Sequence, residues 1–378
     1  MKILSVFGTR PEAVKMAPVV RALKETAGIE SLVCVTAQHR QMLDQVLDLF
    51  EIRPDYDLDL MRDNQSLAEL SAAIFTNLDP VLAEFKPDWV LAQGDTTTVA
   101  ITSMMAFYRR IKFGHVEAGL RTHNKWHPFP EEINRRIATA TADLHFAPTE
   151  WSRQNLLREN IEEGIIVVTG NPVIDALGHV SKQEEPAQIR ELLLALGIDK
   201  QASGAQGRKR LVLLTAHRRE NFGKPIEDIC QAVAKLASRG DVEIVYPVHL
   251  NPNVQEPVNR LLKGVPHVTL LPPLDYLPLV HLMKQATLIL TDSGGIQEEA
   301  PAFGVPVLVL RETTERPEGV EAGTLKLVGT VTDRIVREAT RLLDEPLAYA
   351  KMAKSANPYG DGHAAERIVQ ALLHAGGL

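Results

Sequence analysis

The sequence predicts an α/β protein built of two doubly wound parallel-sheet domains. Three observations carry the prediction. Short β-rich runs alternate with helix-length segments, the runs are near-continuously apolar, and the rhythm begins again after a polar stretch in mid-chain. Continuous apolar strands separated by helices belong to parallel sheets covered on both faces. A length of 378 residues is long for one hydrophobic core and suits two.

The first strand is "KILSVFG"; its apolar core is too short for a signal peptide and no small-residue cleavage site follows. A helix start comes next in "FGTRPEAVKMAP", residues 7 to 18. Thr9 can cap, Glu12 stands three residues later as a capping-box partner, and Pro11 suits the first turn. Arg10 and Lys15 have no such reason, because the positive end of a helix dipole disfavours cations. Either something negative lies opposite them or they are solvated surface charges. "SLVCVTA", "WVLAQG", "IKFGHVEA", "LHFAP" and "IIVVTG" complete the first set of strands. The junction falls near "TGNPVIDAL", residues 169 to 177, and the polar stretch after it ends in "DKQASGAQGRKR", the most loop-like composition in the chain. "RLVLLTA", "VEIVYPV", "HVTLLPP", "TLILTD" and "PVLVLR" form the second set, and "NPYGDGHAAERIVQALLHAGGL" reads as a turn and a closing helix. The expected division is residues 1–172, 173–360 and a closing segment 361–378.

Composition narrows the function classes. With 45% hydrophobic and 24% charged residues and no apolar run near the roughly 18 residues of a membrane helix, the chain reads as a soluble globular enzyme without a membrane segment. A net charge of -7 argues against a general nucleic-acid binder, so any basic cluster should serve a local anion. Cys34 and Cys230 are isolated, which suits neither a disulfide framework nor a cysteine zinc site, and the expected compartment is the cytosol. No metal and no cofactor are expected. Gly360, Gly362 and Ala365 satisfy the dinucleotide pattern G-x-G-x-x-A, but no strand precedes them, and a turn with a helix cap explains them. Walker A, H-E-x-x-H and G-x-S-x-G patterns are absent from the sequence.

In open α/β sheets ligands lie beyond the carboxyl ends of the strands, so polar residues there are the candidates. Asp95 ends "WVLAQGD"; alone it reads as an N-cap for the helix "TTTVAITSMMAFYRR". Glu117 ends "IKFGHVE" beside a glycine, and Glu131 stands at a Pro-preceded helix start in "HPFPEEINRR", where a carboxylate also suits the dipole. Each has a structural explanation, yet three carboxylates at the strand ends of one domain favour acid/base chemistry. His217 follows a strand in "LLTAHRRENFG", where a satisfied polar histidine is the commoner fate. In "TLILTDSGGIQEEAPAFG", Ser293, Gly294 and Gly295 open a helix with bare amides that suit an anion, and Glu299 can accept hydrogen bonds from a ribose. Arg316 in "RETTERPEG" adds a cation. Phosphate-compatible groups thus occur in both halves, and a diphosphate held between two domains would give Arg10 and Lys15 their anion.

"FGTRPEAVKMAP", "QGDTTT", "GHVEAGLRT", "PFPEEINRR", "TAHRREN", "YPVHLNP", "TDSGGIQEEAP" and "TTERPEG" together closely resemble the non-hydrolysing bacterial UDP-N-acetylglucosamine 2-epimerases, almost end to end. The resemblance implies two Rossmann-like domains of the GT-B type with the active site in the interdomain cleft, and a homodimer. It implies reversible epimerisation at C2 to UDP-N-acetylmannosamine by elimination of UDP, a 2-acetamidoglucal intermediate, and re-addition after reprotonation on the opposite face. The matching motifs assign proton transfer to Asp95, Glu117 and Glu131, and stabilisation of the diphosphate to Arg10, Lys15, His217 and Ser293 to Gly295. Glu299 and Arg316 fall on nucleotide-binding positions, Glu299 at the ribose. Gln38, His39 and Gln41 in "AQHRQML" resemble the segment where many bacterial members bind a second UDP-N-acetylglucosamine as activator, although by spacing alone they suit an exposed helix start. This chain has Asn64 where some activated relatives carry an arginine. A GT-B glycosyltransferase and a hydrolysing epimerase are the alternatives; the carboxylate trio speaks against the first, and capture of the intermediate by water would mark the second.

Overall fold

The structure is a computed structural model that describes residues 1–37, 40–60, 62, 65–198 and 209–377, and of residues 40–42 only the backbone. The chain forms two units, Met1–Gly178 with Tyr359–Leu378, and His179–Pro358.

In the first unit the strands β1 (Lys2–Phe7), β2 (Glu30–Val35), β3 (Tyr56–Asp57), β4 (Trp89–Gln93), β5 (Lys112–Val116), β6 (Leu144–Ala147) and β7 (Ile166–Val168) form a parallel sheet in the order β3-β2-β1-β4-β5-β6-β7. In the second, β8 (Arg210–Thr215), β9 (Val242–Pro247), β10 (Val268–Leu271), β11 (Leu288–Thr291), β12 (Val307–Val309) and β13 (Leu325–Leu327) form a parallel sheet in the order β10-β9-β8-β11-β12-β13. Both are doubly wound Rossmann-like sheets, the fold class the sequence predicts. The edge strands β3 and β13 are the two that the apolar runs do not reveal, since two or three residues carry too little pattern.

Helices bury one apolar face on each sheet. Helices Leu67–Phe85 and Thr97–Tyr108 set Leu70, Ile74, Leu78 and Val99 against Leu4, Val6, Val90 and Phe113. In the second unit Ile229, Val233 and Val258 pack with Val212, Leu214 and Ile244. Each fully buried side chain of this kind contributes about 1.5–3 kcal/mol. Strand order reverses between β1 and β4 in the first sheet and between β8 and β11 in the second. At such switch points the following loops diverge and leave a crevice, so the loops after β1 and β4, and after β8 and β11, are where chemistry is expected.

The closing helix Ala364–Gly376 belongs to the first unit, where it packs on the helix Arg10–Glu25. Asp175 holds its start, accepting the backbone N–H groups of Ala364 at 3.2 Å and Ala365 at 2.9 Å. Asp175 lies on the helix Pro172–Val180, whose Val173, Ile174, Ala176 and Leu177 are buried, and the first unit accordingly runs six residues past the expected boundary at 172, to Gly178. The turn before the closing helix crosses the chain closely: a Cβ on Gly170, whose φ is +86°, would lie 3.3 Å from the Cα of Gly360. Gly360 and Gly362 thus belong to a turn. Among the described residues no helix is long and apolar enough to cross a membrane.

Candidate active site

The loop after β1 starts the helix Arg10–Glu25 as the sequence predicts. Glu12 accepts the backbone N–H of Thr9 at 2.7 Å and of Gly8 at 3.0 Å, and its other oxygen accepts the Thr96 hydroxyl at 2.6 Å. Burial pushes the Glu12 carboxyl up, against these hydrogen bonds, so its role is structural. Lys15, one turn further, is buried and forms an ion pair with Glu117. For Lys15 the negative group that the helix start calls for is therefore a carboxylate of the chain itself. Arg10 is half-buried and makes no ion pair among the described residues.

Glu117 is the most constrained candidate. It follows β5, is 7% exposed, and has a φ of +65°, a left-handed conformation that costs a non-glycine residue about 1–3 kcal/mol. Its side chain explains why that backbone persists. One oxygen meets Lys15 and the Asn171 amide, the latter at 2.9 Å, while the Gln93 amide donates to the other. Helix, two strand ends and the loop after β7 therefore converge on one carboxylate. A Cβ on Gly94 would lie 3.6 Å from Glu117 Oε2, so this carboxylate sits against the turn that carries Asp95.

Asp95 is not the N-cap that its position suggests. Thr96 caps the helix Thr97–Tyr108, its hydroxyl accepting from Val99, and this leaves the Asp95 carboxylate for other work. Arg135 grips Asp95 Oδ2 through Nε at 2.9 Å and Nη2 at 2.6 Å, and the Asn134 amide donates to the Asp95 backbone carbonyl at 2.9 Å. Asp95 keeps 28% of its side-chain surface open. Glu131 begins the helix Glu131–Thr141; at spacings of three and four it shares a face with Asn134 and Arg135, the face that meets Asp95. Its neighbour Glu132 is fully buried and accepts the backbone N–H groups of Thr122 at 3.0 Å and His123 at 3.1 Å, fixing the loop after β5. Behind the turn, buried His115 donates through Nε2 to the Gly94 carbonyl at 2.7 Å; burial pushes its pKa down to about 4, so the ring is neutral. The structure thus brings Asp95 and Glu117 to one switch point, with Glu131 on the helix face whose Asn134 and Arg135 hold Asp95.

The second unit repeats the plan. After β8 comes His217, half-buried; after β11 comes Asp292, fully buried. Asp292 Oδ2 accepts the backbone N–H groups of His217 and Arg218, each at 2.8 Å, and the Asn221 amide at 2.9 Å. Its Oδ1 lies 3.6 Å from His217 Nδ1. Burial lowers the His217 pKa, and the Asp292 charge opposes that. Ser293, Gly294 and Gly295 open the helix Gly294–Glu299 as expected. The Arg316 guanidinium lies over Gly294: a Cβ there would sit 2.8 Å from Arg316 Cζ, so any side chain at 294 displaces the guanidinium. Arg316 is paired with buried Glu298, Nε to Oε1 at 2.8 Å. Burial would raise the Glu315 carboxyl, but hydrogen bonds from Arg311 and the charge of Arg316 outweigh it and hold the pKa at about 2. Glu299 is buried with its carboxylate beside Gly295.

Gln38, His39 and Asn64 lie outside the described residues, as does the side chain of Gln41, whose backbone is in the helix Arg40–Leu49. Sequence reading did not single out Gln93, Glu132, Asn134, Arg135, Asn171, Asp292 or Glu298. Only Asp292 carried an available signal, a carboxylate directly after a strand like Asp95; the others are recognised by what they touch.

The family model described as UDP-N-acetylglucosamine 2-epimerase matches residues 21–373 of this chain. The chain is 56% identical over 373 residues to the UDP-N-acetylglucosamine 2-epimerase of Yersinia pestis, and 57% identical over 376 residues to that of Escherichia coli strain K12, with 98% of each chain covered in both comparisons. A crystal structure of UDP-GlcNAc 2-epimerase from Neisseria meningitidis bound to UDP-GlcNAc matches it with a TM-score of 0.90 at 51% identity, covering 99% of this chain and 100% of that chain.

Proposed function

We propose a mechanism that proceeds from one premise: this chain belongs to the UDP-N-acetylglucosamine 2-epimerase family, and is accordingly an isomerase with the two-domain α/β fold of the GT-B type. The Neisseria meningitidis relative holds UDP-GlcNAc, and we infer that this chain takes the same nucleotide sugar. We further infer that it works without net hydrolysis, through 2-acetamidoglucal.

The hydrogen on C2 of the sugar lies beside an acetal carbon, so enolisation cannot acidify it. Breaking the C1–O bond as the C2 proton leaves solves this: the electron pair of C2–H becomes the C1=C2 double bond, the proton goes to a carboxylate, and UDP departs with the C1–O pair. Return of a proton to the opposite face, then of UDP to C1, completes the inversion. Two positioned acid/base groups are required. The observation that carries this reading is the pair Asp95 and Glu117 at adjacent strand ends, each clamped by its own buried cation, Arg135 and Lys15. Glu131, on the helix face toward Asp95, is the third proton-transfer group proposed.

For the leaving group we propose Arg10, Lys15, His217, the Ser293 to Gly295 turn and Arg316, with Glu299 receiving the ribose hydroxyls. Lys15 has three donors, enough for Glu117 and the substrate anion together. Each charge-assisted hydrogen bond contributes about 1.5–3 kcal/mol, so a few supply several decades of rate when they strengthen on departure. Pairing of two copies, a cytoplasmic location, supply of precursor for surface polysaccharide, and activation by a second UDP-N-acetylglucosamine at Gln38, His39 and Gln41 are proposed from the family resemblance alone.

The test is proton NMR of UDP-N-acetylglucosamine incubated with the enzyme in heavy water. Deuterium entering C2 as UDP-N-acetylmannosamine appears is the expected result. Free N-acetylmannosamine accumulating with UDP would show a hydrolysing enzyme, and absence of C2 exchange would remove the proposal.

A further inference from the structure

We propose that Asp292 is the positioning residue of a His–Asp dyad, holding His217 in the orientation and charge state that meet the departing diphosphate; the inference rests on the reaction proposed above. Asp292 is fully buried at the end of β11. Its two oxygens divide the work. Oδ2 accepts three hydrogen bonds from the His217 loop, which fixes where the loop runs. Oδ1 is buried, has no hydrogen-bond partner among the described residues, and lies 3.6 Å from His217 Nδ1, a few tenths of an ångström beyond a hydrogen bond. Leaving a buried carboxylate oxygen unsatisfied is costly, and a small swing of the half-buried imidazole satisfies it.

The chemistry of that contact sets the ring. A carboxylate oxygen only accepts, so Nδ1 must carry the proton, and Nε2 is left for the substrate. The surroundings otherwise oppose a charged ring. His249 stacks on His217 with ring centroids 5.4 Å apart, Arg218 is adjacent, and burial disfavours the cation; among the described residues Asp292 is the group near it that favours the charge. Tyr246 donates its hydroxyl to the Ala216 carbonyl at 2.7 Å, and so steadies the chain just before His217. When the C1–O bond breaks, negative charge develops on the diphosphate oxygen. An imidazolium backed by Asp292 donates a hydrogen bond to that oxygen and keeps its proton for the return step, so no further reactant is needed.

The test is Asp292→Asn, read with His217→Gln and the double variant. The asparagine oxygen can still accept from His217, Arg218 and Asn221, while its amide turns a donor toward Nδ1 and disfavours the imidazolium. Expected is a loss of kcat of about a hundredfold or more. The high-pH limb of the kcat profile should move to lower pH, and Asp292→Asn should have no further effect in the His217→Gln background. Losses that multiply in the double variant, or a kcat within about threefold with an unmoved limb, overturn the proposal. Nitrogen-15 NMR of histidine-labelled wild-type enzyme with UDP supplies a readout should the variant fail to fold: a neutral His217 at pH 7 with UDP bound overturns the dyad. Failure of the epimerase reading is separate, since it would be seen as absent C2 exchange in the wild type.

Discussion

Replacing Lys15 by methionine isolates the central feature of the first unit, the buried pair with Glu117. The side chains of Lys15 and Glu117 are 11% and 5% exposed, so removing the ammonium leaves a carboxylate uncompensated in a low dielectric. Breaking such a pair costs about 3–5 kcal/mol. Gln93 and Asn171 still donate to Glu117, which places the expected loss for Lys15→Met near ~3 kcal/mol. Glu117→Gln strands the ammonium in turn, and the double variant Lys15→Met with Glu117→Gln has no isolated charge, so it should regain most of the loss. Because the three tryptophans, Trp89, Trp126 and Trp151, all lie in the first unit, tryptophan fluorescence in a urea titration follows that unit alone. A Lys15→Met loss below about 1 kcal/mol, or single-variant losses that simply add, would refute the reasoning.

Other expectations follow from the same geometry. Asp95→Asn and Glu117→Gln should each abolish turnover while leaving UDP affinity within about tenfold, roughly 1.4 kcal/mol, by calorimetry; a large loss of UDP binding in both would make them structural groups. Burial pushes His115 and His145 down to about 4 and about 3, so below their ordinary value near 6.5 the unfolded chain takes up protons that the folded one refuses. The first unit should therefore lose stability as pH falls below about 6.5, on the order of 2 kcal/mol per histidine by pH 5. In urea titrations at pH 7 and pH 5, His145→Met should shrink that difference; an unchanged difference would mean that His145 is not held neutral. Gly294→Ala forces the Arg316 guanidinium aside, and UDP affinity should drop about tenfold without a change in the melting temperature of the protein. Unchanged affinity would take Arg316 out of the nucleotide site.

How far the sequence was legible depended on the kind of signal. Strands such as β1 and β8 are continuous apolar runs between helices, and they declare both position and parallel pairing; β3, with two residues, declares nothing. Candidate site residues were legible where a strand ends in a polar group, which finds Asp95, Glu117 and His217. The supporting residues are a different matter. Arg135 reaches Asp95 from 40 positions away and Asn171 reaches Glu117 from 54, so only tertiary packing reveals them. Asp95 shows the opposite error: local spacing suggested a cap, and the neighbouring Thr96 took that role because its hydroxyl reaches Val99. By position on the helix Lys15 suits a phosphate ligand, and its ion pair with Glu117 is visible only from the sheet order, which puts β5 next to β4 and β4 next to β1. The G-x-G-x-x-A match at Gly360 shows a pattern failing for want of its strand, since Gly360 serves a close chain crossing and Gly362 takes a positive φ of +86° in the same turn.

The claim that C1–O cleavage accompanies inversion at C2 is tested most directly with UDP-N-acetylglucosamine carrying oxygen-18 in the bridge between C1 and the β-phosphorus. Elimination frees the β-phosphate to rotate before UDP returns, so the label should spread from the bridge to the non-bridging β-oxygens, in step with C2 exchange and in both epimers. Inversion with the label still wholly in the bridge would contradict the account, because C2 would then have epimerised without the diphosphate ever leaving.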